Sequence, residues 1–197
     1  MILVASALLA AIAASATGSD LVEVWGIARC PDTSRFVHNQ LVPFYNDFYP
    51  FPKNFKIDFH AVPTGGSMIN GSYVNKCLHG SVECALNKLQ MCSRKYISKD
   101  WLVTIGCIQG KKTYDSGITC IPDGAEGKKV IACAESEEGE YLLNDENSYR
   151  YNVAPQSAWL PWIQINGVRV QEAEKQLKAK MCELDSMKTL EQCKKSD

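Results

Sequence analysis

The sequence predicts an α/β (α+β) domain interrupted by a disulfide-rich, mainly helical insertion. A strand–helix–strand pattern opens the chain and a strand–strand–helix pattern closes it. Six of the nine cysteines fall between the two.

Residues 21–28 (LVEVWGIA) have the β-branched and aromatic content of a strand. They run directly into Cys30-Pro31, and proline is favoured at a first helical position because its missing N–H has no helical partner there. Asp32 suits the positive end of the helix dipole. Phe36, Leu41, Phe44, Tyr45 and Phe48 then recur at helical spacing. Pro43 lies inside this stretch and is expected to kink or divide the helix. Residues 55–62 (FKIDFHAV) alternate, with Phe55, Ile57, Phe59 and Ala61 on one side and Lys56, Asp58 and His60 on the other, which predicts a half-buried strand.

The middle of the chain, 70–151, is cysteine-rich and weakly periodic. Within it 84–95 fits a helix, and 99–108 is apolar without deciding between helix and strand. Residues 110–139 are rich in glycine and charge, with Cys120 and Cys133 expected to staple them and Glu137/Glu138 read as a solvated loop pair. Near the end, 162–165 and 168–170 flank Asn166-Gly167, a strong hairpin signal because a type I′ turn needs positive φ at both central positions. Residues 171–181 read as a helix, and Cys182 and Cys193 are expected to close the tail onto itself. This order is the thioredoxin plan with a large insert. The domain is expected over 19–197, with the insertion at about 66–155.

The 197 residues suit one domain. Net charge is −1, from 21 basic and 22 acidic residues, and the lysine pairs 111/112, 128/129 and 194/195 are scattered. Nothing resembles a basic stripe, so nucleic acid is a poor partner. Residues 2–14 are nearly all small or apolar, no charge precedes Asp20, and Ala14-Ser15-Ala16 fits the small-x-small cleavage pattern, so 1–18 is expected to be a signal peptide. That run is too short for a confident membrane span and no later stretch could cross a bilayer. A secreted protein follows, a setting in which disulfides persist. Asn70-Gly71-Ser72 is a glycosylation sequon expected on an exposed loop. An odd cysteine count is most simply four bridges and one free thiol, but eight cysteines allow roughly a hundred pairings, so connectivity stays open.

Cys30 is the candidate nucleophile, because a thiolate at a helix N-terminus is stabilised by unpaired N–H groups and the macrodipole. Asp32 opposes that stabilisation by like charge. Thr33 stands where a dithiol enzyme has its second cysteine. Its hydroxyl could donate to the thiolate but cannot attack a mixed disulfide. Taken alone, Cys-x-x-Thr also describes a buried cysteine at an ordinary helix start. Pro161 immediately precedes the strand at 162–165, where thioredoxin folds place a cis proline opposite the redox cysteine. On that plan Leu160 pairs through its backbone with bound substrate, beside Trp162. His38 and His60 are read as surface or satisfied core histidines, and His79 as structural.

Residues 77–87 (CLHGSVECALN) followed by Cys92 resemble the signature of the gamma-interferon-inducible lysosomal thiol reductases. That signature is Cys-Gln-His-Gly, two residues, Glu-Cys, two residues, Asn, four residues, Cys; the one departure is Leu78 in place of Gln. Leu160-Pro161-Trp162-Ile163 with Ile165-Asn166-Gly167 is also similar to a segment of that family. The resemblance spans about 21–193. It implies a thioredoxin-like fold, a helical insertion carrying the signature, and reduction of protein disulfides in acidic endolysosomes, with no cofactor. Cys77, Cys84, Cys92, Cys107, Cys120, Cys133, Cys182 and Cys193 are taken as structural disulfide cysteines. Metal binding by Cys77–Cys92 with His79 is the disfavoured rival, since secretion favours disulfides. With Thr33 in place, two functions remain open. Cys30 acts as a monothiol of weak activity on disulfide-containing extracellular proteins, or the scaffold is a non-catalytic secreted binding protein. A Cys30-linked dimer is a third use of the odd thiol.

Overall fold

A computed structural model describes residues 18–194; the leader expected at 1–18 lies, but for its last residue, outside the described residues. The chain opens with β1 (Asp20–Gly26), α1 (Pro31–Phe36), a π-helical segment (Val37–Leu41), α2 (Val42–Phe48) and β2 (Phe55–Ala61). A hairpin of β3 (Gly65–Ile69) and β4 (Ser72–Lys76) follows, then α3 (Ser81–Tyr96), α4 (Trp101–Ile108), α5 (Tyr114–Ile118), α6 (Ala125–Ala134) and α7 (Glu137–Val153). β5 (Trp162–Ile165), β6 (Val168–Arg169), α8 (Ala173–Cys182) and α9 (Glu191–Lys194) complete it. The main sheet has the order β2-β1-β5-β6, with β1 parallel to β2 and β5 and β6 antiparallel. This is a thioredoxin-like α/β fold with a helical insertion between β2 and β5.

One sheet-centred core joins Val22, Val24, Ile57, Phe59 and Ile163 to Phe36, Leu41, Phe44 and Phe48. Each of these large side chains contributes about 1.5–3 kcal/mol by leaving water. The β5–β6 turn is Asn166-Gly167, with φ of 51° and 78°. The Asn166 side chain also accepts from Leu21 N–H at 2.9 Å and donates to Asp20 at 2.8 Å, tying the turn to the start of β1.

Pro43 does not divide its helix. Helical backbone runs on from Pro31 to Phe48, and the turn before the proline widens into a π-helix whose Val42 N–H donates to the Val37 carbonyl. A proline removes one N–H and crowds the carbonyl four residues back, and the wider turn accommodates both. Strand β2 alternates as expected at Lys56, which is exposed, and at Asp58, which is partly so, but His60 is 4% exposed, because α3 and α7 of the insertion cover that end of the face.

Four disulfides hold the insertion and tail: Cys77–Cys84, Cys92–Cys133, Cys107–Cys120 and Cys182–Cys193. Cys120 and Cys133 thus reach out of the 110–139 segment to α4 and α3. Cys92–Cys133 closes the longest loop, 41 residues, worth about 4 kcal/mol in the chain-entropy account. Glu137 and Glu138 face solvent as expected, but they lie in the first turn of α7 and not in a loop, and the helix dipole favours them there. Glu138 accepts from Lys95 and Tyr96, and Glu137 from Ser72. Among the described residues no helix is long and apolar enough to cross a membrane.

Glu140, also in that first turn, accepts from Lys88 at 2.7 Å and from the Asn75 backbone and side-chain amides at 3.0 and 2.6 Å. Burial pushes its carboxyl up, but these bonds outweigh burial and hold it below the ordinary glutamate range. A carboxyl lowered on folding adds stability above its unfolded pKa and loses it as pH falls through the folded value. Glu140→Gln is therefore expected to lower Tm at pH 7. Thermal melts taken downward from about pH 4.5 are expected to show the gap to wild type closing.

Candidate active site

Cys30 is the N-cap of α1 (φ −71°, ψ 126°), and its sulfur accepts from the Thr33 N–H at 3.5 Å. It is partly exposed and is the one free cysteine; the other eight are bridged. Asp32 is engaged by Arg35 at 2.9 Å, so its charge is offset within the same helical turn. Across the site the Leu160–Pro161 bond is cis, and the Leu160 carbonyl lies 3.9 Å from the Cys30 sulfur. Cys30, Leu160 and Trp162 pack together on a small apolar cluster of Trp25, Ile27, Val62 and Ala154. Trp162 stands opposite Trp25 in the β1–β5 register, with the Arg169 guanidinium 4.4 Å above its ring.

Thr33 sits beneath this surface, fully buried. Among the described residues its hydroxyl finds no partner and does not donate to the Cys30 sulfur, contrary to the role the sequence suggests. Its methyl group instead occupies the space that a side chain at Gly26 would need: a Cβ there would come within 2.5 Å of Thr33 Cγ2. Thr33 therefore packs the helix start against β1.

The loop before Cys30 is held from the insertion. Asn87 on α3 accepts from the Ala28 N–H at 2.8 Å and donates to the Val62 carbonyl at 3.3 Å. Gln109, just after α4, places its amide nitrogen 2.9 Å from Ile27 O, 3.0 Å from Ala28 O and 3.1 Å from Ser34 Oγ. Gln90 on α3 donates to the Gln109 side-chain oxygen at 2.9 Å. All three side chains are buried, so each of these bonds replaces one to water that the loop has lost. Gln90 and Gln109, which hold the loop that carries Cys30, are missed by the sequence reading. Their signal is an uncharged amide set within apolar helical runs.

The rest of the signature builds a turn. The buried Glu83 carboxylate accepts from the His79 N–H at 3.1 Å and from the His79 ring, while Gly80 adopts φ of 84°. Arg29, next to Cys30, donates to the His79 carbonyl at 3.2 Å. Leu78, the departure from the signature, is 67% exposed. Asn70 is exposed at the β3–β4 turn. His38 contacts the Gly106 carbonyl at 3.0 Å.

His60 belongs to a buried ionic network. Glu146 lies 2.5 Å from its Nδ1, Glu23 lies 3.7 Å from its Nε2, Arg94 bridges Glu146 and Asp58, and Trp25 stacks on its ring at 5.0 Å. Tyr149 donates to Glu23 at 2.5 Å, and burial, then Glu23, pushes its hydroxyl up to about 12. The network ties the sheet to α3 and α7 behind Trp25. Among the described residues no group of three or more His, Cys, Asp or Glu side chains is placed to hold a metal.

Residues 21–124 match the family model described as gamma interferon inducible lysosomal thiol reductase (GILT). The chain is similar to a GILT-like protein of Caenorhabditis elegans, 30% identical over 83% of this chain and 80% of that one. It is also similar to a GILT-like protein of Caenorhabditis briggsae, 31% identical over 82% and 77% respectively. Among solved structures, the DsbA of Chlamydia trachomatis superposes with a TM-score of 0.59 at 10% identity, over 86% of this chain and 89% of that one.

Proposed function

This chain belongs to the gamma-interferon-inducible lysosomal thiol reductase family, and we propose that it carries out thiol–disulfide exchange as a monothiol through Cys30, slowly and in dependence on a small external thiol. The observation that carries the reading is the free, partly exposed Cys30 sulfur at a helix start, 3.9 Å from the carbonyl that precedes cis Pro161, with Thr33 where a second thiol would stand.

The Cys30 thiolate attacks one sulfur of a substrate disulfide. A Cys30–substrate bond forms, the substrate S–S bond breaks, and the departing sulfur leaves as a thiolate that takes up a proton. Thr33 has no nucleophile for the next step. An external thiolate attacks the substrate sulfur of the adduct, releasing Cys30 and leaving a substrate–small-thiol disulfide. A second small thiol reduces that bond, so two small thiols are oxidised for each substrate disulfide reduced. Where a substrate thiol attacks instead, the outcome is isomerisation without net reduction. Leu160 supplies backbone hydrogen-bonding groups to the bound chain, and Trp162 supports them from β5.

Export, with removal of 1–18 and glycosylation at Asn70, is part of the same proposal. It is supported by four disulfides, which persist in oxidising compartments, and by the sequence of the leader. The second reading, a non-catalytic binding protein, draws on the buried Thr33. Trapping separates them. Acid-quenched mixtures with a disulfide-bonded protein are expected to show, on non-reducing gels, a Cys30 adduct that disappears with added glutathione and is absent from Cys30→Ser. No adduct with any substrate overturns the exchange reading in favour of binding, and a band at twice the monomer mass points to a Cys30-linked dimer.

A further inference from the structure

Two clefts are lined by different parts of the segment 155–161, and they differ in charge. On the Pro161 side a cleft of about 200 Å³ is lined by Asp32, Arg35, Trp159, Glu174 and Lys175, so acids and bases balance. The second cleft, of about 370 Å³, is lined by Thr64, Arg150, Tyr151, Pro155, Gln156 and Ser157, and among the described residues no carboxylate lines it. Its charge is the Arg150 guanidinium, near the end of α7. Among the described residues that group has a single acceptor, Asn147 Oδ1 at 3.2 Å. Its Nε is buried without a partner. Its carbon lies 4.9 Å above the Tyr151 ring, which steadies the plane of the guanidinium. A guanidinium short of acceptors, beside a phenol and a side-chain amide, is matched by an incoming carboxylate.

This cleft is linked to the thiol site through the chain. Ala154 and Val62 belong to the apolar cluster on which Cys30 and Leu160 pack, and Thr64 and residues 155–158 continue from them. Two residues separate Ala158 from Leu160, a reach of at most about 7 Å, and the Leu160 carbonyl lies 3.9 Å from the Cys30 sulfur, which brings the cleft within reach of a peptide lying along Leu160. We infer that Arg150 and its cleft form a subsite for an acidic side chain close to the substrate cysteine, selecting disulfides in acidic sequence contexts. The inference rests on the exchange function proposed for Cys30.

The probe is a set of short peptides whose single cysteine is capped with 5-thio-2-nitrobenzoate, each carrying Glu or Gln at one of the two positions on either side. Attack by Cys30 forms the Cys30–peptide disulfide and expels the yellow thiolate. At one position Glu is expected to react roughly fivefold faster than Gln, the size of an exposed ion pair. Arg150→Gln is expected to abolish that preference and leave the Gln-peptide rate unchanged, while Arg150→Lys keeps part of it. Equal Glu and Gln rates at every position, or a preference that survives Arg150→Gln, overturn the subsite alone. No release from any peptide overturns the exchange function, and the subsite with it.

Discussion

Thr33→Cys is expected to raise disulfide reduction, at a fixed concentration of small thiol, by on the order of tenfold or more over wild type, because the resolving step becomes intramolecular. The structure accommodates the change. The Cys30 sulfur already lies 3.5 Å from the residue 33 amide, and the side chain at 33 points into a packed, fully buried position. The lost hydroxyl makes no hydrogen bond, so no partner is stranded. The lost methyl over Gly26 costs about 1 kcal/mol. Insulin reduction followed by turbidity reads the gain, and thiol titration of the oxidised variant is expected to find no free thiol. Thr33→Ala is the control, with no gain expected. A Thr33→Cys protein that oxidises normally and still turns over at the wild-type rate would mean that the surroundings of Cys30, and not the missing thiol, limit the chemistry.

The second large effect is on stability and comes from α3. Asn87→Leu keeps the volume but strands the Ala28 N–H and the Val62 carbonyl in the interior. Each unsatisfied buried group costs about 1–3 kcal/mol, and at roughly 2–4 °C per kcal/mol for a domain of this size the Tm is expected to fall by about 5–20 °C. Asn87→Asp, which retains the acceptor for Ala28, is expected to keep the Ala28 bond and lose the Val62 one. A Leu variant with unchanged Tm would show that the loop is held by Gln109 alone. The bond reaches the residue two before Cys30, which gives the signature asparagine a physical role: it fixes the loop that presents the thiol.

The parts of the fold set by local chemistry were legible in the sequence. Pro31 behind Cys30 marked a helix start, Asn166-Gly167 marked a type I′ hairpin, and the spacing of Phe36, Leu41, Phe44 and Phe48 marked the helix face that covers the sheet. The same Asn-Gly signal stands at Asn70-Gly71, with φ of 51° and 87°, and turns β3 into β4. There the sequon drew the reading, and the hairpin was missed. What depended on long-range contact was hidden. His60 alternates outward in its strand, and it is buried by groups that include Glu146 and Arg94, from helices 86 and 34 residues on. The partners of Cys92 and Cys107 and the amides of Gln90 and Gln109 likewise acquire meaning only when α3 and α4 take their places, whereas the Cys182–Cys193 closure of the tail was legible from the sequence. At the site, Cys30, Leu160, Pro161 and Trp162 converge as neighbours, whereas Thr33 lies below them as a packing group.

The most direct measurement is the initial rate of disulfide reduction on a denatured protein substrate as glutathione is varied, at acidic and neutral pH, for wild type and Cys30→Ser. The account predicts a wild-type rate above the glutathione-only background that rises in proportion to glutathione, together with a Cys30→Ser rate equal to that background. Wild-type, Cys30→Ser and background rates that coincide at every glutathione concentration would contradict it and leave the scaffold as a binding protein.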